Sequence, residues 1–404
     1  MAGLPPVATE DAFAVICQDE AALRPGVEWL CGLLGVDAPG LTRFAAGSRP
    51  VYAAGDLVLK LFPPVATWPG YRVEAEVLAA VRGRLPTPTP LVHAAGEHDG
   101  WGYVLMSRLP GVPLDTVWDQ LCAGDRDRLA DQLGETIAAL HDLPPLAIKD
   151  WWPADWPAFV ARQRAQCVSE QRALGLPVSW ADQIAPFLGG IALPSRPPVL
   201  LHTEVMRQHL LAVEGPGGVL RLSGLIDFEP AMRGEREYEF VGVGVFVAEG
   251  DGRFLGRTLA AYGYRRDQLG PDLRRRLLAW GILHRYSNLR WWIRRLPGRP
   301  GLLSTRWLTA GSPLSDRGDH KFAVTSMVSR RAGRMVAELA CSPVPGPRCH
   351  EPQTRRRNTH IRLFRHIFVV DPGFVADPVH SGTPDQPQDP DQPHNRRVPR
   401  LACH

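Results

Sequence analysis

The sequence predicts an α+β protein of two lobes with a cleft between them. Three observations carry that expectation. Strand-like apolar runs separated by turn residues fill the first 110 positions, helical periods dominate from about 114 to 296, and both patterns fail in 297–404. With 404 residues, 45% of them hydrophobic and 22% charged, the chain can bury two or three packed units of ordinary globular character.

The first lobe, residues 1–110, opens its strand pattern with "LTRFAAG" (41–47), "PVYAAG" (50–55) and "LVLKLFPP" (57–64). Gly55-Asp56 between the last two predicts a hairpin. Apolar residues at Val73, Val77, Leu78 and Val81 lie on one face of a helix over 71–83, closed by Gly83. "LVHAAGEHDGWGYVLMSRLPG" (91–111) reads as two strands around a Gly-rich turn. In the second lobe, 111–296, the clearest helices are "DRLADQLGETIAALHDL" (127–143) and a long amphipathic run over 272–296. Between them, "PPVLLHTEVMRQHLL" (197–211) is strand-like up to His202, then polar, then apolar again.

Residues 297–404 are rich in Pro, Arg and His, and seven of the thirteen histidines lie there. "SGTPDQPQDPDQPHNRRVPR" is low-complexity and is expected to be disordered. "HKFAVTSMVSRRAGRMVAELA" and "HIRLFRHIFVV" could form a helix and a strand, but nothing around them offers a core. Two accounts fit this tail: a flexible basic arm, or a segment read in a non-ancestral frame of a GC-rich gene. It carries 16 Lys+Arg against 9 Asp+Glu, a net of +7, whereas the rest of the chain is −3. The basic pI therefore gives no reason to expect nucleic acid on the body, and the tail lacks the interleaved aromatics of a single-strand binder. No stretch approaches 18 apolar residues and no basic, apolar leader opens the chain, so a cytoplasmic location without a membrane is expected. Seven scattered cysteines without a C-x-x-C pair predict reduced thiols rather than a disulfide framework or zinc site.

Lys60 is the first residue that bears chemistry. The chain has three lysines against 43 arginines, and this one sits mid-strand in "LVLKLF", where a compact ammonium suits a phosphate pair. An edge-strand lysine facing solvent is the alternative, and in either setting its own contribution to packing is expected to be small. Upstream, the "AAGSRPVY" turn (45–52), with Gly47 and Ser48, presents backbone N–H groups suited to phosphate. Downstream, Glu74 or Glu76 on the helix would pair with Lys60. "LSGLIDF" ends a strand on Asp227, a standard position for an oxygen ligand to Mg²⁺.

The ordered combination resembles the aminoglycoside phosphotransferase family, relatives of protein kinases that also include hygromycin and choline kinases. The resemblance spans roughly 40–290 and is strongest in 199–211 and 224–240. It implies a two-lobed protein-kinase-like fold and an ATP-dependent, cytoplasmic small-molecule kinase, acting as a monomer on an amino or sugar alcohol. By that resemblance Lys60 holds the α/β-phosphates and Glu74 orients it. "VLMSRLPG" (104–111), with Met106, Ser107 and Leu109, is the hinge against adenine. "LGETIAALHDL" is similar to the family's helix ending in Leu-His, and "IDFEPAMRGEREYEF" to its metal strand and the return after it.

The departures fall on the catalytic loop. Glu204 stands two residues after His202, where the family has the Asp that orients or deprotonates the acceptor hydroxyl. His209 stands where the family has an Asn that ligates the metal. Glu235 and Glu239 stand where Asp is usual. A glutamate keeps the charge but reaches about 1 Å further, and a displacement of that size costs on the order of a hundredfold unless the loop sits back. Imidazole suits Mn²⁺ better than Mg²⁺. The residues and the resemblance together point to a kinase with Glu204 and His202 in its catalytic loop, Asp227 and His209 at a metal, and ATP with Mg²⁺ or Mn²⁺. A nucleotide-binding pseudokinase that serves as a scaffold is the alternative. The acids Glu229, Glu235, Glu237 and Glu239 are expected to suit a cationic acceptor.

Overall fold

The computed structural model describes residues 3–37, 40–45, 47–64, 70–144 and 153–295. The expectations for the tail beyond 296 lie outside the described residues. Two helices that the sequence reading did not identify, α1 (Glu10–Ile16) and α2 (Glu20–Leu33), open the chain. Each starts on a capping side chain: Thr9 accepts from the Ala12 N–H and Asp19 from the Ala22 N–H. Strands β1 (Thr42–Arg43), β2 (Val51–Ala54) and β3 (Leu57–Phe62), helix α3 (Gly70–Val81), and strands β4 (Val92–His98) and β5 (Trp101–Ser107) follow. The five strands form one antiparallel sheet in the order β1-β2-β3-β5-β4. Gly55 and Asp56 make the expected hairpin, with Gly55 at φ 58° and Ala54 paired to Leu57.

The period-two alternation of β3 assigns the two faces of the sheet. Leu59 and Leu61 pack with Tyr52, Trp101 and Leu105 under α1 and α2, against Phe13, Leu23, Val27 and Leu30. Each such aliphatic side chain contributes about 1.5–3 kcal/mol on burial. Gly26 is needed here: a Cβ would come within 2.6 Å of the Leu4 backbone nitrogen, so only glycine lets the N-terminal segment lie across α2. On the opposite face, Phe62, Val104 and Met106 meet Val73, Val77, Leu78 and Val81 of α3, the four positions the periodicity selected.

The second part begins with β6 (Val112–Pro113), α4 (Leu114–Val117), α5 (Ala123–His141), α6 (Trp156–Ala173), α7 (Val178–Ala181) and α8 (Ile184–Gly189). Strands β7 (Val199–Leu201), β8 (Leu210–Glu214), β9 (Leu220–Leu225) and β10 (Met232–Gly234) come next. They form a β6-β8-β9 sheet and a β7–β10 ladder, between which the 202–209 loop is suspended. Helices α9 (Glu239–Gly242), α10 (Gly252–Tyr262), α11 (Pro271–Leu283) and α12 (Leu289–Arg295) complete it, α9 running on into a π-helical turn over Val243–Val247. The core of this part is continuous with the α3 face of the first sheet.

One expectation is corrected. The run over 272–296 is two helices, broken at 284–288, because side chains from elsewhere take over the backbone bonds there. Gln171 donates to the Ser287 carbonyl at 3.0 Å and accepts from the Leu289 N–H at 2.9 Å. The Arg285 N–H donates to the Tyr238 hydroxyl at 2.7 Å. Among the described residues, Cys17, Cys31, Cys122 and Cys167 are free thiols. No helix among the described residues is long and apolar enough to cross a membrane.

Candidate active site

Lys60 lies on an interior strand, opposite Val51 on one side and Val104 on the other, so the edge-strand alternative is removed. Its ammonium is buried and meets three carboxylates: Glu74 at 2.8 Å, Asp227 at 2.7 Å and Glu229 at 3.1 Å. Burial alone would discharge it, but Asp227, Glu229 and Glu74 hold its pKa well above the usual lysine value. The open choice of partner is settled as Glu74; Glu76 is exposed. Burial raises the Glu74 carboxyl above its ordinary range, against the pull of Lys60.

The backbone of the 202–209 loop is held at its end by the Ile226 N–H, which donates to the His209 carbonyl at 3.0 Å, and at its start by Glu239. Glu239 accepts the His202 N–H at 2.6 Å and the Thr203 N–H at 2.9 Å. These bonds hold Thr203 at φ 68°, a left-handed conformation that a β-branched residue adopts only under constraint. The His202 ring accepts from the Glu204 N–H at 3.3 Å through Nδ1 and donates to the Ile226 carbonyl at 3.0 Å through Nε2. Burial depresses its pKa to about 4, so the ring is neutral and ties the loop to the end of β9.

Asp227 also has a positive φ, 71°, and divides its carboxylate between Lys60 and the Nε2 of His209 at 3.1 Å. Burial opposes the ionised form, yet Lys60 and His209 outweigh it and hold the Asp227 carboxyl well below the usual range. His209 Nδ1 lies 2.9 Å from the Glu204 carbonyl, which can only accept, so that nitrogen carries a proton. Nε2 faces a carboxylate, and although burial lowers the pKa, Asp227 lifts it to about 9. His209 is therefore an imidazolium at neutral pH.

The donors fit a divalent cation in part. Glu204, His209 and Asp227 offer ligand atoms within 4.8 Å of one another, as do Glu74, Asp227 and Glu229 around the ammonium. The carboxylate oxygens of Asp227 and Glu229 are the hard donors Mg²⁺ takes. His209 can ligate only after losing its Nε2 proton.

Arg49, Tyr286 and Arg285, which the sequence does not single out, complete the site. Arg49, from the turn holding Gly47 and Ser48, reaches Glu229 with Nε–O distances of 3.3 and 3.4 Å. Tyr286, in the break between α11 and α12, hydrogen-bonds the Glu204 carboxylate, and the Arg285 guanidinium stands beside both. Burial raises the Glu204 pKa, and His209 opposes the shift. Glu229, expected among the acids that suit a cationic acceptor, lies instead on Arg49 and Lys60, two residues beyond Asp227. Tyr286 had no signal in the sequence, since the helical period runs through it.

The acidic set is corrected. Glu235 and Glu237 are buried on Arg196 at 2.7 and 3.4 Å, and Glu237 also on Arg276 at 2.8 Å. With Glu239 on the loop backbone and Glu229 on Arg49 and Lys60, these acids are structural and do not form a surface for a cationic acceptor. In the 104–111 segment, expected to form the hinge, Met106 packs opposite Val58, and Leu109 lies against Gly224. The Ser107 N–H donates to the Leu91 carbonyl and its hydroxyl accepts from the Leu91 N–H, both at 2.8 Å.

A five-stranded sheet carrying a buried lysine–glutamate pair, above a helical part whose loop and strand end converge on that lysine, defines a protein of the kinase-like phosphotransferase class. The phosphotransferase enzyme family model matches residues 40–279, and the chain belongs to that family. Its fold is similar to the GDP complex of wild-type aminoglycoside 2'-phosphotransferase-IIIa, with a TM-score of 0.51 at 17% identity, covering 63% of this chain and 88% of that one. A point mutant of the same enzyme, also with GDP, gives 0.50 at 19% identity, covering 64% and 85%. At these identities the likeness is one of fold. No curated protein matches the chain.

Proposed function

We propose that this chain transfers the γ-phosphoryl group of ATP to a hydroxyl of a small molecule. One observation carries the reading: the ammonium of Lys60, Asp227 at its strand end and the carboxylate of Glu204 are brought into one cluster from three separate elements. ATP would supply the phosphoryl group, and Mg²⁺ or Mn²⁺ would neutralise its charge. On this reading the strand-rich lobe through residue 110 holds the nucleotide, with Met106 and Leu109 at the base and Gly47, Ser48 and Lys60 at the phosphates. Residues 111–296 present the acceptor. Glu204 takes the acceptor's proton, held by Tyr286. His202 serves as the neutral brace between loop and strand. Asp227 carries the metal, and His209 joins it once deprotonated. The chain works as a cytoplasmic monomer.

A second reading has its own observation. The His209 imidazolium already sits on Asp227, in a place where a cation would bind, and a pseudokinase would keep it there. ATP consumption by the full chain, screened against aminoglycosides, amino alcohols and sugars with Mg²⁺ and Mn²⁺ in parallel, separates the two. Acceptor-dependent turnover supports the kinase. Metal-independent nucleotide binding without turnover supports the scaffold.

A further inference from the structure

Arg49 occupies a position that its sequence context does not announce. Its guanidinium meets Glu229 at 3.3 Å, and the same carboxylate reaches Lys60 at 3.1 Å. Glu229 thus bridges two cations, one from the turn before β2 and one from β3. A carboxylate held bidentately between an arginine and a lysine occupies a site that a phosphate also fits, because the guanidinium fork matches both anions. The fork is pre-set: it lies 5.9 Å from the ring centres of both Phe13 and Phe62. Phe13 belongs to α1, outside the family-matched residues 40–279. Arg49 also lies within electrostatic reach of Asp227 and of Tyr286, the residue that holds Glu204. Its partner Glu229 also meets Lys60, which in turn meets Asp227 at 2.7 Å, so the guanidinium adjoins the cluster in which a terminal phosphate would lie.

We propose that Arg49 is a ligand of the γ-phosphate, resting on Glu229 and exchanging that carboxylate for the terminal phosphate of bound ATP. The assignment rests on the phosphotransferase reading. It makes α1 part of the nucleotide site, since Phe13 flanks the guanidinium on one side.

The test is calorimetric titration of the full chain, wild type and Arg49→Gln, with ATP and with ADP in the presence of Mg²⁺. A charge-assisted pair made only to the γ-phosphate predicts that Arg49→Gln weakens ATP binding by roughly 10- to 100-fold while ADP binding stays within about twofold. Equal loss for both nucleotides, or loss for neither, overturns the assignment and leaves the phosphotransferase reading standing. If Arg49→Gln does not fold, Arg49→Lys keeps the charge and most of the stem. Its loss should be smaller and again confined to ATP; a loss shared with ADP overturns the assignment in this variant too. A wild type that binds neither nucleotide overturns the phosphotransferase reading and this assignment with it.

Discussion

Glu204 is one methylene longer than the aspartate its relatives would place there, and Tyr286 meets the extra length with a hydroxyl on the carboxylate. Tyr286→Phe should therefore lower kcat by roughly tenfold, the scale of one hydrogen bond to a charged group, with nucleotide affinity unchanged in calorimetry. Glu204→Asp should not raise activity, because the shorter side chain draws back from both Tyr286 and the acceptor. Lys60 now calls for a different expectation from the one its strand position suggested. Removing an ammonium that compensates three carboxylates leaves buried charge unpaired, so Lys60→Ala should cost about 3–5 kcal/mol in denaturant melts as well as nucleotide affinity. His209 gives a pH signature. Its pKa is raised in the folded chain to about 9, so its stabilisation is complete below the unfolded value of about 6.5 and is lost as pH rises through about 9. The metal-free protein should lose on the order of 3 kcal/mol across that window, and His209→Gln should flatten the loss.

At the level of elements, legibility followed the range of the forces involved. The Gly55-Asp56 hairpin and the α3 face were readable because turn dihedrals and helical period are local properties. The break at 284–288 was not, since periodicity continues through it and only Gln171 and Tyr238, distant in sequence, interrupt the helix. Tyr286 stayed hidden with it. The chain before residue 41 concealed two helices for a related reason: its short apolar spacings acquire meaning only against the back of the sheet. Of the site, Lys60, Glu74, Glu204, His209 and Asp227 were legible and do converge, whereas Arg49 looked like one more residue of a small-residue turn. Gln171→Leu tests the account of the break. It should cost about 1–3 kcal/mol in thermal melts by stranding buried backbone groups, and it should lower kcat by releasing Tyr286.

The whole molecule joins a sheet sandwiched between α1–α2 and α3 to a helical part that shares the α3 face as core. The tail sequence lacks a period that would bury a shared face, so a chain ending at Leu296 should melt within a few degrees of the full chain and keep its nucleotide affinity. A large drop in melting temperature would place part of 320–340 in the core. The central claim is phosphoryl transfer with Glu204 as proton acceptor, and the most direct measurement is acceptor-dependent ADP release by wild type and Glu204→Gln in Mg²⁺ and in Mn²⁺. The account predicts turnover by the wild type, at least as fast in Mn²⁺ as in Mg²⁺, and its near-abolition in Glu204→Gln with ATP still bound. Turnover unaffected by Glu204→Gln would contradict it, as would a Glu204→Asp/His209→Asn double variant much faster than wild type in Mg²⁺.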